Sequence, residues 1–240
     1  PPRSTLFPYT TLFRSGREIN KAAAEHLKIV RLELGGKAPF IVLDDADLDP
    51  AVDAAIASRF DNCGQVCTCN ERMYVQSGIY DRFLERFKQR VEALKVGNPL
   101  TDEDVDMGPK INAAELDKIH AMVEQAQRDG AQLLTGGKRL SGGDYDKGNY
   151  YAPTILTGVD NDMQIMKEEI FGPVVPIMKI DDFDQAMAYA NASEYGLSAY
   201  VFTQNVRHLM ALTRELDFGE IYVNRGAGES VQGFHKGYRN

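Results

Sequence analysis

Apolar positions recur at two periods along the chain, and the alternation between those periods predicts the fold. From Gly16 to Ile29, the residues Ile19, Ala22, Ala23, His26 and Leu27 fall at helical spacing. Val30-Arg31-Leu32-Glu33-Leu34 then alternates as a short strand would, with Glu33 just ahead of Gly35-Gly36, and Phe40-Ile41-Val42-Leu43 predicts a second strand after Pro39. Asp49-Pro50 predicts a helix start, with a capping acid and a proline at the first helical position. Val52, Ile56 and Phe60 give that helix one apolar face, and it runs directly into a loop that ends at Cys69. Beyond the loop, Arg72-Met73-Tyr74-Val75 predicts a strand, and Ile79, Phe83, Phe87, Val91 and Leu94 mark one face of a long helix that Asn98-Pro99 breaks. An Asp-rich segment over 101–108 leads to a helix over 112–129 closed by Gly130, and two Gly-Gly pairs within 135–149 predict a hairpin or exposed loop. Strands over 174–180, 198–203 and 220–224 then alternate with helices over 183–191 and 206–216.

Short apolar strands separated by amphipathic helices predict an α/β fold, a doubly wound and largely parallel sheet. Ligands of such sheets gather at loops beyond the carboxyl ends of strands, so the loops holding Glu33 and Cys67 are expected to converge there. No internal repeat and no linker interrupts the chain between 35 and 225. Residues 1–15 stand apart: they have no acidic residue and no alanine, hold three of the ten prolines, and nearly repeat themselves as STLF and TTLF. They read as an unstructured or foreign leader.

Composition narrows the class. The 240 residues carry 27 Lys and Arg against 35 Asp and Glu, a net charge of −8 with both signs interspersed, which argues against a nucleic-acid or anionic-membrane partner. No apolar run approaches the roughly 18 residues of a membrane span. Nothing at the start has the layout of a secretory signal. A cytoplasmic location is the expectation, and three cysteines, odd in number and bunched, suit a reducing compartment.

Those cysteines carry the candidate chemistry. Phe60-Asp61-Asn62-Cys63-Gly64-Gln65-Val66-Cys67-Thr68-Cys69 holds all three, beside a glycine and between a helix and a strand. A nucleophilic thiol would suit that place, since backbone N–H groups there can face a bound anion. Small buried hydrophobes are the plainer reading of the cluster, because free cysteine is among the most buried residue types. The spacing C-x3-C-x-C has no second pair behind it and fits neither a structural zinc site nor an all-cysteine iron–sulfur cluster, so no metal is expected. The histidines, His26, His120, His208 and His235, are all distant in sequence from the loop, and the nearer candidate partner is Glu33 in its Gly-rich turn. That pair suggests a covalent thiol step followed by a base-assisted water step, whereas Glu33 alone would read as a solvated surface acid. Neither G-x-G-x-x-G nor G-x4-G-K-[ST] occurs, so no phosphate-binding fingerprint is present.

Several separate stretches, taken in order, resemble one family. Leu32-Glu33-Leu34-Gly35-Gly36-Lys37-Ala38-Pro39 is similar to the glutamate signature of the NAD(P)-dependent aldehyde dehydrogenases, and the run from Phe60 to Cys67 is similar to their cysteine signature. Glu168-Glu169-Ile170-Phe171-Gly172-Pro173-Val174 resembles their cofactor-contacting motif, and Tyr195-Gly196-Leu197-Ser198 and Gly219-Glu220-Ile221-Tyr222-Val223-Asn224 resemble two later blocks. The resemblance covers residues 16–240. It implies that Cys67 attacks an aldehyde, that its backbone N–H and an upstream Asn hold the oxyanion, and that hydride passes to NAD or NADP. It also implies that Glu33 activates water against the thioester, releasing a free acid rather than an acyl-coenzyme A. Glu169 would hold the nicotinamide-side ribose, Phe171 would sit near the cofactor, and Cys63 and Cys69 become neighbours. The tail from Asn224 to Arg239 resembles the lactaldehyde and glycolaldehyde dehydrogenase branch, in which Glu229 and His235 would lie near a hydroxyaldehyde substrate.

The chain departs from that family at both ends. The Phe-Thr-Gly-Ser run expected ahead of Gly16 is replaced by Tyr9, Thr10, Thr11 and Leu12. The expected layout is a leader over 1–15, a remnant of the cofactor domain over 16–34, and a catalytic domain over 35–240 short of the family's closing strand. The parent is expected to be a homo-oligomer. The alternative expectation is a catalytically incompetent fragment, or a weak thiol esterase.

Overall fold

In the computed structural model, which describes residues 8–226, the two-residue period of the strands sorts side chains to the two sides of one sheet. In β1 (Ala38–Val42) and β2 (Asn70–Gln76), Phe40, Val42, Met73 and Val75 enter one apolar cluster while Ile41 and Tyr74 enter the other. Strands buried on both faces need helices on both. On one side lie α2 (Leu48–Phe60) and α3 (Tyr80–Glu92), through Val52, Ala55, Phe60, Phe83 and Phe87. The other side is covered by α4 (Ala113–Arg128), the single turn α5 (Gln164–Lys167), α6 (Phe183–Asn191) and α7 (Val206–Glu215), through Ile119, Val123, Ile165, Ala186 and Leu212.

With β3 (Gln132–Thr135), β4 (Thr154–Thr157), β5 (Val174–Ile180), β6 (Ser198–Phe202) and β7 (Glu220–Val223), the described residues form a sheet of seven strands in the order β3-β4-β5-β2-β1-β6-β7. Every neighbouring pair is parallel except β3 with β4. The chain therefore has the doubly wound, largely parallel α/β fold expected from its periodicity.

Three local expectations are corrected. Helix α1 spans Pro8–Glu25, so it begins inside the stretch whose composition suggested an unstructured leader and ends before Ile29. No strand forms over 30–34. Both edges of β1 are taken, by β2 and β6, and the alternating segment ahead of it finds no strand to pair with; Leu32 and Leu34 instead close over Gly16, where an added Cβ would meet their methyl carbons at 3.3 and 3.0 Å. Helix α2 starts one residue before Asp49, with Asp47 as its N-cap and no side-chain cap bond. Pro50 is then the third helical residue, still harmless because the first-turn N–H groups have no intrahelical partner.

A fourth correction concerns the site. The motif segments 35–36, 67–68, 169–172 and 195–197 run into the amino ends of β1, β2, β5 and β6, not out of the carboxyl ends. These four strands are consecutive in the sheet as β5-β2-β1-β6 and all parallel, so their amino ends lie side by side along one edge. The motifs ride on connections that lead into strands, which is why the rule for strand-to-helix loops misplaces them.

Candidate active site

The cysteine loop is built from a tight turn that few side chains tolerate. After α2, Asn62, Cys63 and Gly64 take left-handed backbone with φ of 47°, 59° and 68°. Asn visits that region readily and Gly without cost, whereas Cys63 is held there against its preference. Gly64 has a second constraint, since a Cβ on it would lie 2.4 Å from the Gly172 carbonyl oxygen. Gln65 fastens the turn, donating to the Asn62 carbonyl at 3.0 Å and accepting the Ile111 N–H at 2.9 Å. Beyond it the Cys69 N–H bonds to the Val66 carbonyl at 3.1 Å, and the Thr68 carbonyl accepts from Tyr200 Oη at 2.5 Å and Ser198 Oγ at 3.3 Å. Cys67 lies inside this frame.

The three thiols differ in environment. Cys63 and Cys69 are buried, Cys67 is half-buried, and none is in a disulfide. Burial pushes the Cys63 thiol up to about 11 against the opposing charges of Lys110 and Arg59, and pushes Cys69 up to about 12. Both are protonated at neutral pH, and a protonated buried thiol is a poor nucleophile.

The glycine pair brings a second motif to the loop. A Cβ on Gly36 would lie 1.9 Å from the Cys67 carbonyl oxygen, so only glycine permits this approach of the two backbones. The Gly36 N–H donates to Glu169 Oε1 at 2.8 Å, and Glu169 Oε2 faces Gly35, where a Cβ would come within 2.8 Å. Burial and the nearby Glu71 carboxylate raise Glu169 to about 7, while the Gly36 N–H opposes the shift.

Beneath these groups lies a buried ionic network that reading the sequence missed. Glu71 Oε2 accepts from Lys37 Nζ at 2.9 Å and the Ile170 N–H at 2.8 Å; Oε1 accepts from Arg59 Nη1 at 3.0 Å and the Phe171 N–H at 3.0 Å. Arg59 also bonds to the carbonyls of Asn70, Gly64 and Gly172. Burial alone would raise Glu71, but Lys37, Arg59 and the Ile170 N–H outweigh it and hold the carboxyl down at about 2. Burial lowers Lys37 to about 8 even with Glu71 beside it. The available sign in the sequence was a pair of opposite charges, Glu71-Arg72, entering an apolar strand. Solvated pairs look the same, and only the buried surroundings separate them.

Among the expected site residues, Cys67 and Glu169 meet at the glycine pair. Glu33 is exposed, in the unpaired segment ahead of β1. Three residues of extended chain reach at most about 10 Å, so its Cα lies within that distance of Gly36, the residue touching Cys67. Phe171 is half-buried with φ 53°, its N–H on Glu71 and the Lys110 ammonium 5.4 Å over its ring. Glu229 and His235 lie outside the described residues. Among the described residues no cluster of three or more His, Cys, Asp or Glu could hold a metal ion, and no helix is long and apolar enough to cross a membrane.

The chemistry present fits a nucleotide's ribose. A half-buried carboxylate with one oxygen fixed on a backbone N–H keeps its other oxygen as an acceptor for a hydroxyl, and glycines at 35 and 36 keep the approach clear.

Comparison with known proteins bears on this arrangement. The profile of the aldehyde dehydrogenase family matches residues 10–240. The chain is 56% identical over 224 residues to 3,6-anhydro-alpha-L-galactose dehydrogenase of Vibrio sp. (strain EJY3), covering 93% of this chain and 46% of that protein. It is 46% identical over 238 residues to lactaldehyde dehydrogenase of Escherichia coli (strain K12), covering 99% of this chain and 49% of that protein. Among solved structures, 3,6-anhydro-L-galactose dehydrogenase in complex with NAP superposes with a TM-score of 0.91 at 54% identity, covering 94% of this chain and 47% of that one. The lactaldehyde dehydrogenase from Escherichia coli superposes with a TM-score of 0.89 at 47% identity, covering 94% and 46%. The chain thus spans about half the length of the relatives it matches.

Proposed function

Because the chain belongs to the aldehyde dehydrogenase family, we propose that the protein carrying it oxidises a hydroxylated aldehyde to the carboxylic acid, with NAD(P) as hydride acceptor and Cys67 as nucleophile. The observation that carries the assignment of the thiol is its exposure. Cys67 is half-buried in a loop locked at both ends, while Cys63 and Cys69 are buried and held protonated.

In this reading Cys67 gives its thiol proton to solvent, the thiolate sulfur bonds to the carbonyl carbon as the C–O π bond breaks, and the oxygen takes the charge against the Cys67 backbone N–H. Preorganised donors of this kind contribute about 3–4 kcal/mol of barrier lowering each. Bound NAD(P) would supply the acceptor for the hydride lost from that carbon, leaving a thioester on Cys67. Glu33, exposed and therefore reachable by water, takes a proton from the attacking water. The acyl carbon gains the hydroxyl, the sulfur–carbon bond breaks, and the acid leaves. Glu169 and Phe171 would hold the ribose and nicotinamide side of the cofactor.

The substrate class rests on the relatives' names, lactaldehyde and 3,6-anhydro-alpha-L-galactose, both oxygen-bearing aldehydes. Glu229 and His235 would bind those oxygens. Residues 35–240 would form the thiol-bearing domain of a homo-oligomer. The test is NAD(P)-dependent oxidation of lactaldehyde, glycolaldehyde and 3,6-anhydro-L-galactose by the full-length protein and its Cys67→Ala variant. Loss of NAD(P)H formation in the variant is expected; retained turnover would rule out the thiol mechanism.

A further inference from the structure

We infer that Glu71 is a positioning residue, a single buried carboxylate that registers the Cys67 loop against the Glu169–Phe171 segment. The inference rests on the proposed function for its kinetic part only.

The geometry leaves Glu71 no other task. Both carboxylate oxygens accept two bonds, so the roughly four lone-pair sites are filled. The four bonds reach three stretches of chain. Lys37 directly follows the glycine pair that abuts Cys67; Arg59, in the last turn of α2, grips the Gly64 carbonyl where the cysteine loop turns; and the N–H groups of Ile170 and Phe171 belong to the segment bearing Glu169. Cys69 Sγ stands 3.7 Å from Glu71 Oε1, so the carboxylate also touches the loop's far end. Arg59 repeats the tie in backbone form, bonding both Gly64 and Gly172. Four segments leading to three neighbouring strands thus converge on one ion that solvent does not reach.

Stability alone is a weak account of such a cluster. A buried ion pair replaced by apolar side chains of similar volume is often no less stable, because desolvation offsets the attraction. What apolar packing lacks is direction: it does not fix the Cys67 backbone relative to the Phe171 backbone to a fraction of an ångström. Misplacement of about 1 Å at a reacting centre is enough for about a 100-fold loss of rate.

The experiment uses the full-length protein with Lys37, Arg59 and Glu71 all changed to Met, and separately Arg59→Lys, which keeps the charge but loses the forked geometry. Three quantities are read: melting temperature, kcat and KM for lactaldehyde, and native-state iodoacetamide labelling of Cys63, Cys67 and Cys69 by peptide mapping. For the triple variant the expected result is a lowered melting temperature, because the Ile170 and Phe171 N–H groups and the carbonyls held by Lys37 and Arg59 lose their partners, and in the folded variant kcat down about 10-fold or more with KM for the aldehyde little changed. Cys67 should lose its labelling preference over Cys63 and Cys69. An unchanged kcat and an unchanged labelling order in a folded variant would overturn the inference. If the triple variant does not fold, the same readings on Arg59→Lys decide. If Cys67→Ala leaves oxidation intact, the proposed function fails by itself, and the labelling order alone judges Glu71.

Discussion

At the scale of single residues, the site depends on a contact that no side chain makes. Gly36 lets its backbone touch the Cys67 carbonyl, and an added methyl would sit 1.9 Å from that oxygen. Gly36→Ala must move one of the two segments, so we expect a loss of about 1–3 kcal/mol in stability with a larger relative loss in kcat, read by urea denaturation and steady-state assay. Glu169 allows a cleaner substitution, because Gln keeps the acceptor for the Gly36 N–H and removes the charge. Its folded value, about 7, lies above the ordinary 4.5, so the folded state binds more protons between those pH values. Stability therefore falls as pH rises through that window. We expect the parent to lose stability relative to Glu169→Gln between pH 4.5 and 7; parallel curves across the window would refute the assignment. The motif order singled out Cys67 and Glu169 from sequence, yet Glu71 stayed hidden. A carboxylate shows its burial only through Lys37, Arg59 and Ile170, which lie 34, 12 and 99 positions away.

At the scale of elements, local pattern was enough where the pattern carries its own boundary. The strand Val174–Ile180 and the helix Phe183–Asn191 have the bounds that the pattern predicts, and Asp182 caps the helix by accepting the Gln185 N–H at 2.8 Å. Strand 30–34 failed for a different reason. Alternation shows that a segment could line a sheet, but not that an edge is available, and β1 has none to offer. Helix caps give a measurable contrast. Asn112 accepts the Glu115 N–H at 2.8 Å at the start of α4, whereas Asp47 makes no such bond at the start of α2. Asn112→Ala is expected to cost about 1 kcal/mol and Asp47→Ala much less in denaturant titrations. Equal losses would mean that the caps are not what distinguishes these helix starts.

At the scale of the whole molecule, parallel order is what converts scattered motifs into one site. Strands β5, β2, β1 and β6 run the same way, so the segments before them arrive at one edge although they are spread between residues 35 and 197. The fold class was legible because strand and helix periods alternate; the edge was not, because periodicity carries no information on which connection bears the chemistry. Glu33 is exposed and Cys67 half-buried, so water reaches the acid more readily than the thiol. In the proposed mechanism Glu33 serves the second half of the reaction, the attack of water on the thioester, and not the first. In the full-length protein, Glu33→Gln should leave the first turnover of aldehyde near the parent rate and slow the following ones about 100-fold or more, since general-base assistance contributes roughly 100- to 10,000-fold. The acyl group should then accumulate on Cys67 and appear as added mass on its peptide after acid quench. A slowed first turnover with no acyl adduct would instead assign Glu33 to activation of the thiol, and unchanged steady-state turnover would remove it from the mechanism.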